Sequence, residues 1–250
     1  MSDIAAASYA EASQMRPAPN PVFGARSTDL PIPDALQVVD IADLLPASPK
    51  TAIFSEVLAR RRSVRSYDSL DAADLAALLD MVFALQGFAT ADDGAVRRFR
   101  PVPSAGARHP LVPVVLIENV AGIDRGLWRF DADGRRLFQI RTAGSHLDDY
   151  WTSNCAAGAF AQRPPAIAVL TARFDSTLAR YPMGSALVWR DAGVALGSLH
   201  LAAASLGLGS CILGTAGVFD ADVLAACGLC GNLVGDVGAL AVGSIGGDNR

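Results

Sequence analysis

Charge and reactive side chains are scarce in this sequence. Only 18% of its 250 residues are Asp, Glu, Lys or Arg, with three histidines and four cysteines. Four cysteines (Cys155, Cys211, Cys227, Cys230) are too few to staple a disulfide scaffold. His109, His146 and His200 are scattered, with no pair four residues apart to grip a metal on one helix face, so no metal site is expected. A net charge of −4 argues against nucleic acid or an anionic membrane as the main partner. Neither a Gly-x-Ser-x-Gly elbow nor a phosphate-binding P-loop occurs. Gly207-Leu208-Gly209 has Ile212 where a dinucleotide fingerprint needs its third glycine, and it follows a helical pattern rather than a strand. Met1-Ser2-Asp3-Ile4-Ala5 brings no basic region and no continuous apolar run. No secretion signal is therefore expected, and the default location is cytoplasmic.

What is present is apolar. Hydrophobic residues make up 51% of the chain, enough for a large core. Residues 1–28, rich in Ala, Ser, Pro and Asn, read as a poorly ordered arm. No repeat or low-complexity linker divides the rest, so 29–250 is expected to be a single domain. Its organising stretch runs from Asp191 to Phe219, with no Asp, Glu, Lys or Arg between Asp191 and Asp220. Six glycines (193, 197, 207, 209, 214, 217) argue against a membrane span. The expectation is a helix buried on every side, with Asp191 near its start, where a negative charge suits the dipole. Gly207 would end that helix in a left-handed cap. Ser210 to Gly214 would then leave as an extended segment with free backbone amides.

Around it the periodicities are clear. A helix is expected from Thr51 to about Arg61, with Ile53, Phe54, Val57 and Leu58 on one face, and another from Asp71 to Gly87, capped by Asp71 and stopped by Gly87. Between them lies Arg60-Arg61-Arg62-Ser63-Val64-Arg65. Arginines and a hydroxyl at a turn are what a phosphate needs, though such a cluster also suits a solvated helix end. Arg97 to Arg100 reads as a solvated basic patch. Pro103-Ser104-Ala105-Gly106-Ala107-Arg108-His109-Pro110 is either a simple turn or a loop whose small residues let backbone approach a flat ligand. A strand from Leu111 to Ile117 follows, then a hairpin from Gly126 to Ile140 with Asp133-Gly134 at its turn. A helix over 147–160, a strand over 167–170, a loop over 180–184, a short helix over 221–226 and a last strand over 237–245 complete the pattern. Cys227-Gly228-Leu229-Cys230 closes a helix and has no second pair, so a structural role is preferred to zinc or redox.

The order of these pieces resembles the flavin-dependent nitroreductase superfamily. Arg61-Arg62-Ser63-Val64-Arg65 is similar to its arginine-serine motif, and the segment from Asp191 to Gly209 to its central helix. Pro103-Ser104-Ala105-Gly106-Ala107 resembles the PSGGALYP segment of its azoline-dehydrogenase branch, and Gly126 to Asp131 that branch's GLYRYD hairpin. The resemblance covers roughly residues 30–246. It implies an α+β fold, a central, mostly antiparallel sheet flanked by helices around a buried central helix. It implies FMN, and a homodimer with sites built from both chains. Arg61, Arg62, Ser63 and Arg65 would hold the phosphate and ribityl chain. Ser104, Ala105, Gly106 and Ala107 would lie along the cofactor, and Cys211, Leu213 and Gly214 would turn backbone amides toward the flavin ring.

One departure bears on activity. The branch carries a Lys-Tyr pair before the central helix for proton removal, and the matching residues here are Arg180 and Tyr181. Arginine keeps its proton, so Arg180 is a poor base; Tyr181 can act if Arg180 lowers its pKa. Three functions are therefore open. The first is an azoline dehydrogenase acting on a modified peptide. The second is an NAD(P)H-dependent nitro or quinone reductase acting on a small molecule. The third is a catalytically impaired flavin-binding partner.

Overall fold

The computed structural model describes residues 30–48, 52–90, 96–214, 219–229 and 233–246, so the arm expected over residues 1–28 lies outside it. Seven strands form one antiparallel sheet. In chain order they are β1 (Gln37–Asp40), β2 (Leu111–Ile117), β3 (Gly126–Asp131), β4 (Arg136–Thr142), β5 (Ala166–Arg173), β6 (Leu208–Leu213) and β7 (Val234–Ser244). Across the sheet their order is β1-β4-β3-β2-β5-β7-β6. The expected hairpin is β3–β4, with Trp128 opposite Gln139 and Phe130 opposite Leu137. Six helices accompany the sheet: α1 (Phe54–Arg60), α2 (Ala72–Phe83), α3 (Ser145–Gly158), α4 (Phe174–Leu178), α5 (Ser185–Leu206) and α6 (Ala221–Ala226). Among the described residues, no helix is long and apolar enough to cross a membrane.

Covering the sheet on both faces explains why its central strands are apolar almost throughout. Along β2, Val115 and Ile117 point to one face and Val112, Val114 and Leu116 to the other. The first face packs against Leu75, Leu78, Leu79 and Val82 of α2 and Val188, Leu199 and Ala203 of α5. The second packs against Leu147, Tyr150 and Trp151 of α3 and Val223 of α6. Burying one leucine-sized side chain contributes roughly 1.5–3 kcal/mol, so these two layers dominate the stability.

Several boundaries differ from the sequence reading. The central helix α5 begins at Ser185, just after Pro182 and Gly184, so Asp191 lies in its second turn rather than at its start. Its end agrees, with Gly207 left-handed at φ 80°. Nor is α5 buried all round: Trp189, Arg190, Gly193 and Val194 are exposed, and Gly197, Ser198 and Leu201 are half-buried. Nothing among the described residues covers this helical stripe. Similarly, of the four apolar residues expected to face the core around α1, only Val57 is buried. Ile53, Phe54 and Leu58 are 63%, 65% and 50% exposed.

Helix α2 stops at Phe83 because Ala84 turns to extended backbone, and Asp71 makes no side-chain capping bond. Gly87 belongs instead to a small hairpin, Gly87–Thr90 with Val96–Phe99, that the sequence reading missed. Pairing there fixes Arg97 and Arg98 in a strand rather than a free basic patch. The last strand begins at Val234, three residues earlier than expected.

Candidate functional site

The arginine-rich segment and the end of the central helix come together at the outer edge of β6. Ser63 forms a parallel bridge with Ser210, and the Val64 amide donates to the Ser210 carbonyl at 2.9 Å. The approach is close: a side chain at Gly209 would place its Cβ 2.9 Å from Val64 Cγ1. Glycine at 209 is therefore what lets residues 63–64 lie against the strand.

Beside this junction is a pocket of about 200 Å³ lined by Arg60, Arg61, Arg62, Val64, His200 and Ser210, among others. Among the described residues, no carboxylate lines it. Arg61 Nη1 lies 2.8 Å from His200 Nε2, and His200 Nδ1 lies 2.6 Å from Ser210 Oγ. Burial and the Arg61 charge both push the His200 pKa down, which favours the neutral imidazole. Arg65 turns away, its Nε donating to the Gly158 carbonyl at 3.0 Å. A concave, acid-free group of guanidinium groups with a backbone edge beside it suits a phosphate.

The 210–214 segment differs from the expected row of free amides. It is mostly strand β6, and successive residues in a strand point their backbone groups to opposite edges. The Ser210 carbonyl faces outward to Val64, so the backbone groups of Ile212 share that edge, and Gly214 lies just past the strand's end. Cys211 and Leu213 lie opposite Ala241 and Ala239 and turn their amides to β7, with both side chains buried.

A second corner forms at the other end of α5. The loop Ser104–Ala107 makes a single tight turn in which Gly106 and Ala107 have φ of 62° and 53°. Ser104 Oγ accepts from the His109 amide at 2.7 Å, and the Ala105 amide donates to both oxygens of Asp191 at 3.1–3.2 Å. Burial raises the Asp191 pKa to about 6, against the opposing pull of that amide. Tyr181 stands over the turn: a Cβ on Gly106 would come within 2.8 Å of the Tyr181 hydroxyl. Arg180 and Tyr181 both donate their amides to the Thr177 carbonyl, at 3.0 and 2.9 Å, which folds them back over α4. The structure thus brings together Gly106 and Tyr181, which are 75 residues apart in the sequence.

Within one chain the two corners do not meet. Asp191 and His200 are nine residues apart on α5, about 13–14 Å along the axis and half a turn around it. His109 lines a different cavity; its ring contacts the Arg98 carbonyl at 2.8 Å and burial lowers its pKa to about 4. Cys227 is buried at the end of α6, its thiol pushed up to about 12 by burial; Cys230 lies outside the described residues. Among the described residues, no His, Cys, Asp and Glu group could hold a metal ion. A lone histidine on an otherwise apolar helix reads as a hydrogen-bonded core residue, and His200 is one, 5% exposed with Arg61 and Ser210 as its partners. Its link to Arg61, the part of Ser210 and the loop-holding role of Asp191 were missed by the sequence reading.

Comparison with known proteins places this geometry. Residues 58–244 match the model of the nitroreductase family. A protein of Methanocaldococcus jannaschii provisionally named a nitroreductase is 30% identical over 164 residues, 64% of this chain and 77% of that protein. The trifolitoxin-processing protein TfxB of Rhizobium leguminosarum bv. trifolii is 28% identical over 141 residues, 52% of this chain but only 38% of its own. Among solved structures, a nitroreductase-named protein of Anabaena variabilis superposes with a TM-score of 0.64 at 21% identity, covering 89% of this chain and 45% of that one. The E. coli microcin synthetase McbBCD complex with truncated pro-MccB17 bound gives 0.56 at 21%, covering 80% and 75%. A Desulfovibrio desulfuricans protein in complex with FMN gives 0.50 at 16%, covering 80% and 90%. The match over three quarters of its length, on a fold shared with all three structures, makes this chain a member of the nitroreductase family.

Proposed function

We propose that this chain is an FMN-dependent oxidoreductase of the azoline-dehydrogenase type, acting on a modified peptide at a site shared by two copies. The observation that carries the reading is the acid-free arginine pocket joined to β6 through the Ser63–Ser210 bridge. Arg61, Arg62 and Ser63 would hold the FMN phosphate there, while Arg65, bonded to the Gly158 carbonyl, would brace the segment from outside the pocket. The outward amide of Ile212, and Gly214 just past the strand's end, would lie toward the ring. The loop Ser104–Ala107 and Tyr181 of the second copy would close the other side. When bound, the flavin supplies two-electron chemistry, taking hydride from a carbon next to nitrogen. Tyr181 is the member of the Arg180–Tyr181 pair able to exchange a proton with substrate, because arginine keeps its own.

Two features support the dimer. The Arg61 and Tyr181 corners lie toward opposite ends and faces of α5, an arrangement that a second copy would complement. The exposed apolar residues Phe54 and Leu58 of α1, with Trp189 and Val194 of α5, suit a second copy. The Gly126–Thr142 hairpin, together with the likeness to a toxin-processing protein and a microcin synthetase, favours a peptide substrate. A second reading, an NAD(P)H-dependent nitro or quinone reductase, is favoured by the M. jannaschii relative's name.

Purified protein reconstituted with FMN should absorb near about 450 nm. Anaerobic bleaching by an azoline peptide but not by NADPH supports the dehydrogenase. Bleaching by NADPH alone supports the reductase, and failure to retain FMN rejects both. Bound FMN that neither donor bleaches would point to a non-catalytic partner.

A further inference from the structure

His200 stands at the centre of a closed circuit. Ser210 holds the arginine segment twice, by its carbonyl to the Val64 amide and, through His200, by its hydroxyl to the Arg61 side chain. The chemistry of the partners sets the proton positions. A guanidinium only donates, so His200 Nε2 must accept from Arg61 at 2.8 Å. Nδ1 then carries the hydrogen and donates to Ser210 Oγ at 2.6 Å. Both His200 and Ser210 are buried, at 5% and 2% exposure, so neither is free to choose another partner in water. Arg61 itself is half-buried and borders the pocket. One of its five N–H donors is spent on the imidazole, and that bond fixes the plane and direction of the rest.

An unrestrained arginine loses rotamer freedom when it grips an anion, whereas one already held in place loses little. Neutral imidazole is suited to this task. A carboxylate in the same place would hold Arg61 more strongly but would cancel the charge that attracts an anion.

We infer that His200, locked by Ser210, is a positioning residue that holds the Arg61 guanidinium in the direction needed to grip the phosphate of the flavin nucleotide. This rests on the FMN reading above and adds to it the part that selects a phosphorylated flavin over an unphosphorylated one.

The test compares FMN with riboflavin, which lacks the phosphate, by fluorescence quenching on the full chain. For the wild type, FMN should bind more tightly than riboflavin. His200→Phe, which keeps volume but removes the acceptor, should weaken FMN about tenfold or more while leaving riboflavin within about twofold. His200→Gln, which restores an acceptor, should recover most of the loss. Ser210→Ala should give a smaller loss in the same direction, and Arg61→Ala with His200→Phe should weaken FMN no more than Arg61→Ala alone. A thermal melt of each variant checks that it is folded, and Ser210→Ala carries the test if His200→Phe is not. Equal loss of both flavins, or unchanged FMN affinity in folded His200 and Ser210 variants, overturns the inference and leaves the FMN reading standing. A wild type that binds neither flavin, or binds both equally, overturns the reading of the pocket itself.

Discussion

Two groups of arginines occupy this molecule in opposite settings. Around the cavity of about 260 Å³ beneath the β3–β4 turn, Arg100, Arg108, Arg136 and Arg173 are interleaved with Asp131 and Asp133. Asp133 takes bonds from Arg98 and Arg100 at 2.7 and 2.5 Å, and Asp131 one from Arg136 at 3.0 Å. Arg100 also donates to the Phe83 carbonyl at 2.7 Å, tying the small hairpin to the end of α2. Beside β6, by contrast, Arg60, Arg61 and Arg62 face a pocket without any acid among the described residues, and Arg61 is held by a neutral imidazole. The same side chain is a structural tie where its counter-charge is built in. Where its neighbour is a neutral imidazole, as for Arg61, its charge is not cancelled by that contact, which is the setting the proposed phosphate site requires.

The strongest way to break this contrast is Arg100→Ala. It leaves Asp133 partly unpaired and a buried carbonyl without its donor. The melting temperature should fall by about 6–12 °C, equivalent to about 3 kcal/mol, with flavin affinity unchanged. Arg61→Ala should do the reverse, weakening FMN about a hundredfold in a binding titration while shifting the melt by under about 2 °C. If Arg100→Ala weakens FMN as much as Arg61→Ala, the two clusters are not different in kind.

Gly106→Ala comes next. Its new methyl would collide with the Tyr181 hydroxyl on a backbone already at positive φ, at a cost of about 1–3 kcal/mol. Turnover should fall more than the thermal melt accounts for, and a variant with normal turnover would dissociate Tyr181 from the chemistry.

Asp191 sharpens the comparison from the acidic side, as a buried carboxylate held by a backbone amide rather than by a cation. Its pKa is higher in the folded chain, at about 6, so folding favours the protonated form. That contribution is complete below the unfolded value of about 3.9 and is lost as pH rises through about 6. Asp191→Asn removes the titration and keeps an acceptor for Ala105. It should melt about 2 °C above the wild type at pH 8, with the gap closing as pH is lowered past 6. A gap that is constant across this range would contradict the assignment. Smallest of all, Arg125→Ala breaks only the exposed 2.8 Å pair with Glu118 and should change stability by less than about 0.5 kcal/mol in a denaturant melt.

Much of this was legible in the residues. Alternation marked the β3–β4 hairpin, a continuous apolar run marked strand β2, glycine marked the end of α5, and the two clusters of arginines stood out at 60–65 and 97–100. The small hairpin beginning at Gly87 was hidden because its strands are four residues long and carry arginines, which weakens the β-signal. The start of α5 was misplaced because the uncharged run drew the boundary to Asp191, whereas backbone geometry begins the helix once Pro182 and Gly184 are passed. Which arginines were paired could not be read either, because Asp133 lies more than 30 residues from Arg98 and Arg100 along the chain.

By itself the sequence determined the elements and the inventory: strands apolar on both faces, a central helix closed by Gly207, and two arginine clusters with one small-residue loop. Periodicity and glycine placement are local properties, set by sterics and by the solvent each face must meet. Only the tertiary structure decided that Arg61 meets His200, that Tyr181 rests on Gly106, and that the corners lie at opposite ends and faces of α5. Those choices depend on long-range strand register, through which one bridge between Ser63 and Ser210 aligns residues 147 positions apart. No local pattern encodes such a register, because the energy that selects it comes from the packing of the whole sheet.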